Sequence, residues 1–94
     1  MNKDEALRIV LDALQRLNEE LDDPVEVSPH TRLFGADAVI DSLSLVSVIV
    51  DVEAEASDLL GVPVSLTDDR AINQPVSPFT DPETLAAYIV TLAG

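Results

Sequence analysis

The residues best suited to chemistry lie together in the stretch Asp41-Ser42-Leu43, at the start of a long apolar segment. The Asp41 carboxylate can accept a hydrogen bond from a free backbone N–H of a starting helix. We therefore predict Asp41 as the N-cap and Ser42 as the first helical residue. A hydroxyl in that position is exposed. Because nothing nearby in the sequence resembles a catalytic base, we interpret Ser42 as a residue that another protein modifies or grips.

The single histidine of the chain, His30, lies in a predicted loop beside Pro29. A Ser/His/Asp site would require this loop to fold His30 onto Ser42, and Ser42 lacks the flanking glycines of a nucleophile elbow. We therefore expect His30 to have solvent or backbone partners. No catalytic residue is predicted, and we expect no enzymatic activity.

Two acidic clusters could suggest a calcium site: Asp22, Asp23 and Glu26, and separately Asp68 and Asp69. Neither has the alternating acids, the sixth-position glycine and the twelfth-position glutamate of a helix-loop-helix calcium loop, so no metal site is predicted. The sequence contains no cysteine. That composition excludes disulfides, thiolate nucleophiles and sulfur-ligated zinc, and it fits a cytoplasmic protein.

Length and charge limit the functional classes. The 94 residues are expected to form one domain, 1–94, with a single core. Five basic residues against eighteen acids give a net charge of −13, which repels nucleic acid and anionic membranes and attracts basic protein surfaces. We see no secretory signal and no run of roughly 20 apolar residues that could span a bilayer. A protein partner is therefore expected.

The spacing of apolar residues predicts an all-α protein with longer helices near 3–21, 42–59 and 82–92. A short additional helix is predicted at about 67–72, and residues 22–41 are predicted to form a long loop. The predicted stop and start signals are Asn2 with Glu5, Asp22-Asp23-Pro24, Gly61 with Pro63, and Asp81 with Pro82. In the loop, Val25, Val27, Leu33 and Phe34 are expected to enter the core.

The second predicted helix has apolar residues on two faces. The face predicted to pack in the core consists of Leu45, Val48, Ile49, Val52, Ala56 and Leu59. A second apolar face contains Leu43, Val46, Val50 and Ala54. Either the helix is central and buried on both sides, or Leu43, Val46 and Val50 form an exposed patch beside Ser42 where a partner docks.

The D-S-L tripeptide at the start of this helix, in a small acidic helical chain with a long first loop, resembles the acyl carrier protein family. The resemblance covers essentially the whole chain and implies a small four-helix bundle. It implies that Ser42 carries 4′-phosphopantetheine, transferred from coenzyme A by a phosphopantetheinyl transferase, with the cargo held as a thioester on the arm. It further implies that Asp41 caps the helix and contributes to recognition by the transferase.

The same resemblance implies how partners are recognised. Leu43, Val46 and Val50 would form the apolar docking patch. The acids after it, including Asp51 and Glu53, would meet the basic docking surfaces of acyl- or aminoacyl-loading ligases and downstream acyl-transfer enzymes. We expect a monomer that binds no nucleic acid.

One departure from the family pattern concerns the pathway. Carriers of primary fatty-acid synthesis have acids soon after the serine, whereas here Ser44 and Ser47 follow and acids return at Asp51. This favours a stand-alone carrier of a specialised polyketide-like, fatty-acid or lipid-modifying pathway. The alternatives are an aminoacyl or peptidyl carrier and, in another class, an acidic helical interaction module without a prosthetic group.

Overall fold

A computed structural model of the chain describes residues 2–22, 24–35, 37–66 and 78–93. These residues form three α-helices and no strand: α1 (Lys3–Asn18), α2 (Ser42–Leu60) and α3 (Pro82–Ala93). The all-α class is confirmed for this part of the chain. The described residues have three helices and not the predicted four, since the short helix predicted at 67–72 lies outside them. None of the three is long and apolar enough to cross a bilayer.

Helix α1 begins with the predicted capping box. The Asn2 side chain accepts a hydrogen bond from the Glu5 N–H at 2.8 Å, and the Glu5 carboxylate accepts one from the Asn2 N–H at 3.4 Å. Two of the donors that a helix start leaves free are thereby satisfied. The buried residues follow at helical spacing and form the face that packs in the core: Ala6, Ile9, Val10, Ala13, Leu14 and Leu17.

Helix α1 ends at Asn18, three residues before the predicted end at 21. The Asn18 side chain donates to the Val25 carbonyl at 2.8 Å and accepts from the Val25 N–H at 2.7 Å. The Glu20 N–H also bonds to the Leu17 carbonyl, three residues back. Because a short amide side chain can offer the backbone such alternative partners, Asn18 turns the chain before Pro24 does.

The ends of the other two helices agree closely with the sequence signals. Helix α2 stops at Gly61, whose φ of 71° is left-handed and so favours glycine. The Ser57 hydroxyl accepts a hydrogen bond from the Val64 N–H and holds the following segment against the helix. Helix α3 begins with Pro82, and the Asp81 carboxylate caps it by accepting from the Thr84 N–H at 2.8 Å.

Helix α1 lies between the other two and packs against both. Two residues predicted for the core are instead exposed. Phe34 is 53% exposed, because the adjacent Leu33 takes the inward position with its N–H bonded to the Thr80 carbonyl. Leu59 is 59% exposed, because it lies in the last turn of α2 and borders an open groove beside Ile9.

The segment between α1 and α2 is ordered by hydrogen bonds within an irregular backbone. The buried Thr31 hydroxyl donates to the Glu26 carbonyl at 2.7 Å. The Val39 N–H donates to the Arg32 carbonyl at 2.9 Å, and the Pro29 carbonyl accepts from the first turn of α3. The described parts of this loop, residues 24–35 and 37–41, are therefore held in place before the start of α2.

Candidate functional site

The candidate site is built on the first turn of α2. Ser42 is the first residue of the helix, and Asp41 is its N-cap, as predicted. One Asp41 carboxylate oxygen accepts from the Ser44 N–H at 2.7 Å, while the Asp41 carbonyl accepts from the Leu45 N–H at 3.0 Å. The carboxylate and the backbone carbonyl of Asp41 thus both hold the first turn of α2, and with it the backbone of Ser42.

The Asp41 carboxyl group is ionised at neutral pH. Its pKa is lowered from the ordinary aspartate value, mainly by the hydrogen bond from the Ser44 N–H and further by the Ser44 hydroxyl, with desolvation opposing. Hydrogen bonds to the charged form of an acid stabilise that form. A fixed negative charge therefore lies directly before Ser42.

The second apolar face of α2 is exposed. Leu43, Val46 and Val50 are 80%, 55% and 57% exposed, and Ala54 one turn further on is exposed as well. Of the two alternatives for this face, burial on both sides of the helix is therefore wrong for the described structure. We name Leu43, Val46 and Val50 the apolar strip. Such a row of exposed large side chains next to a candidate modification site is typical of a binding surface.

The two acids predicted to face a partner differ in their surroundings. Asp51 lies 3.8 Å from the Arg16 guanidinium of α1, which also contacts Glu55 at 3.1 Å. Glu53 makes no ion pair with any part of the chain that the structure describes. Since surface ion pairs of this kind contribute only about 0–1 kcal/mol, exposed Asp51 stays available to a partner, and Glu53 is half-buried.

The His30 ring contacts α3, whereas Ser42 is the first residue of α2. The ring is largely exposed, as expected, but Nδ1 also lies 3.4 Å from a Glu83 carboxylate oxygen, and the Lys3 ammonium contacts the other oxygen at 3.2 Å. A carboxylate partner for His30 was not predicted. These contacts join the long loop, α1 and α3 at one end of the molecule.

A pocket of about 470 Å³ adjoins the start of α2 and was not predicted from the sequence. We name it the loop pocket. It is lined by Leu33, Phe34, Gly35, Ala38, Ile40, Asp41 and Leu45. The available signal was the apolar run Ala38-Val39-Ile40 directly before Asp41, in a loop that is otherwise mostly polar.

Within the residues that the structure describes, no three His, Asp or Glu side chains are grouped to hold a metal ion. Comparison with known proteins provides no relative: no family model, no curated protein and no solved structure matches the chain. The functional proposal therefore rests on the residues and geometry described above.

Proposed function

We propose that the chain is an acyl carrier protein that bears 4′-phosphopantetheine on Ser42 and passes thioester-bound intermediates between partner enzymes. The observation that carries this proposal is the start of α2. A helix capped by Asp41 begins with Ser42, and the residues on either side, ionised Asp41 and strongly exposed Leu43, are both accessible. The chain itself performs no catalysis in this function.

The residues present fit such an attachment. A transferase must reach the Ser42 hydroxyl from solvent, and the neighbouring residues Asp41 and Leu43 are both exposed. When attached, the arm supplies the thiol that a chain without cysteine lacks. Asp41 would hold the first turn of α2 in place and offer its negative charge to the transferase.

The exposed surface of α2 supports a shuttle that several enzymes recognise. The apolar strip would dock in a partner groove, and Asp51 and Glu53 would meet basic groups around it. A net charge of −13 raises the rate of encounter with such basic surfaces more than it raises affinity, which suits a carrier that must also dissociate. The partners would be the transferase, a loading ligase and acyl-transfer enzymes.

In this proposal the complete fold is the four-helix bundle of the acyl carrier type, with the short helix at about 67–72, acting as a monomer in the cytoplasm. The first turn of α2 contains no acid. We therefore place the carrier in a specialised fatty-acid, polyketide-like or lipid-modifying pathway. An aminoacyl or peptidyl carrier would use the same attachment chemistry with a different cargo.

The competing function is an interaction module in which the apolar strip binds one protein permanently and Ser42 stays unmodified. The exposure of Leu43 supports binding in either case. Only the modification of Ser42 separates the two functions.

The test is co-expression with a broad-specificity phosphopantetheinyl transferase, followed by intact mass measurement of the wild type, Ser42→Ala and Ser47→Ala. Ser47 is the matched control, since it is an exposed serine on the same helix. The wild type and Ser47→Ala should each gain the mass of one phosphopantetheinyl group, and Ser42→Ala should gain none. An unmodified wild type, under conditions that load a known carrier, would overturn the proposal.

A further inference from the structure

We infer that the loop pocket receives the neutral part of the phosphopantetheine arm next to its phosphate, so that the arm rests against the long loop between transfers. This inference rests on the proposed function, because it requires an arm on Ser42. It adds a second binding surface of the same site, separate from the apolar strip.

The lining of the loop pocket matches that part of the arm. Leu33 and Leu45 belong to the buried core, and Ile40 packs against the core from the loop. Beyond its phosphate, the arm has a carbon with two methyl groups and then uncharged amides. Burial of methyl groups against leucine and isoleucine side chains is favourable because it removes apolar surface from water.

The size of the pocket is suitable for a small ligand. Sites for small molecules typically occupy roughly 300–1,000 Å³ and are mostly apolar with a few polar groups. The loop pocket, with about 470 Å³ and predominantly apolar side chains, lies within this range.

The charge of the pocket lining indicates which part of the arm enters the loop pocket. Among the described residues that line the pocket, Asp41 alone is charged, and it is ionised at neutral pH. The phosphodiester is also an anion, so it is repelled from the pocket and remains in solvent. The uncharged segment that follows has no such repulsion, and its amide N–H groups can donate hydrogen bonds to a carboxylate.

The point of attachment favours the contact further. Ser42 directly follows Asp41, so the residue that bears the arm is adjacent in the chain to a residue of the pocket lining. A ligand on a short tether has an effective concentration in the millimolar range, and an affinity too weak for a free ligand is then sufficient.

Two backbone hydrogen bonds hold the described part of the outer wall of the pocket without the arm. The Val39 N–H bonds to the Arg32 carbonyl at 2.9 Å, and the Ala38 N–H bonds to the Gly35 carbonyl at 3.2 Å. Gly35 has a φ of 104°, a conformation that side chains disfavour. Because Leu45 lies on the buried side of α2, an arm in the pocket leaves the exposed apolar strip free for partners.

The test is NMR on methyl-labelled holo protein, with phosphopantetheine attachment first established by intact mass. Nuclear Overhauser effects should connect the two methyl groups of the arm with Leu45 and Ile40. The variant Ala38→Phe should lose these signals, because its ring fills the pocket. The matched variant Ser47→Phe adds the same ring to the exposed face of α2 and should keep them.

The outcomes separate this inference from the proposed function. Attachment without contacts from the arm to Leu45 and Ile40 overturns the inference and leaves the carrier function intact. Contacts that persist at full intensity in folded Ala38→Phe overturn it as well. Absence of attachment overturns both. If Ala38→Phe does not fold, the presence or absence of the contacts from the arm in the wild type decides the test.

Discussion

At the scale of single residues, Asp41 combines two tasks. Its side chain caps α2 through the Ser44 N–H, and the same hydrogen bond lowers the pKa of the carboxyl group beside Ser42. The structural and the electrostatic contributions of Asp41 can be separated by substitution, since asparagine caps a helix about as well as aspartate but carries no charge.

We predict that Asp41→Ala lowers the melting temperature at pH 7, because the Ser44 N–H loses its acceptor, while Asp41→Asn retains most of the stability. Since the pKa of Asp41 is lower in the folded chain, the charge stabilises the fold above the unfolded aspartate value of about 3.9. That contribution is lost as the pH falls through the folded pKa.

The wild type should therefore lose its advantage over Asp41→Asn in acid. Thermal unfolding followed by circular dichroism from pH 7 down to about pH 3 measures this difference. A difference between the two proteins that stays constant over the whole range would contradict the role given to the Asp41 charge.

At the scale of the helices, we expect substitutions in the apolar strip of α2 to weaken recognition by partner enzymes most. We predict that Leu43→Ala reduces kcat/KM of the transferase reaction about tenfold, since loss of a leucine contact buried in an interface costs roughly 1–2 kcal/mol. The melting temperature should stay unchanged, because Leu43 is 80% exposed and contributes little to the core.

The matched control is Leu59→Ala, which removes another exposed leucine from the opposite end of the same helix. It should leave the transferase rate unchanged. Equal losses in the two variants would mean that α2 is not recognised through the strip beside Ser42.

The helices and their caps were predictable because each is encoded locally. Side chains at the helix starts satisfy free backbone groups within one turn: Asn2 with Glu5, Asp41, and Asp81 before Pro82. The helices themselves follow from the regular spacing of their apolar residues. The early end of α1 was not predictable, because it depends on Asn18 reaching Val25 across a turn.

Prediction of the candidate site from the sequence has the same limit. The cap follows from Asp41 and the first turn of α2, whereas the sequence left open whether the apolar strip is buried or exposed. The loop pocket does not follow from neighbouring residues, because it requires Leu33 to turn inward and Phe34 outward, which a hydrogen bond to the distant Thr80 determines. Contacts between residues far apart in the chain leave no periodic pattern in the sequence.

At the scale of the whole molecule, the net charge of −13 acts against the fold. The radius of gyration is 12.3 Å, so at an ionic strength of 0.01 M, where screening extends over roughly 30 Å, acids repel one another across the entire molecule. At 0.15 M the screening length falls to about 8 Å, and only neighbouring acids interact.

We therefore predict that the melting temperature rises with added NaCl. The variant Arg8→Gln changes the net charge from −13 to −14, and Arg8 makes no ion pair with the residues that the structure describes. At low ionic strength the melting temperature of this variant should be lower than that of the wild type, and it should rise more steeply with added NaCl. Differential scanning calorimetry across that range measures both slopes, and melting temperatures independent of ionic strength would refute the prediction.

The ordered loop between α1 and α2 has a consequence for the entropy of binding. Fixing the backbone of one residue costs roughly 1–2 kcal/mol, and residues 24–35 and 37–41 are already placed by the hydrogen bonds of Thr31, Leu33 and Val39 when the chain folds. A molecule that binds against this loop does not have to order it. Even a small apolar contact there can therefore appear as measurable affinity.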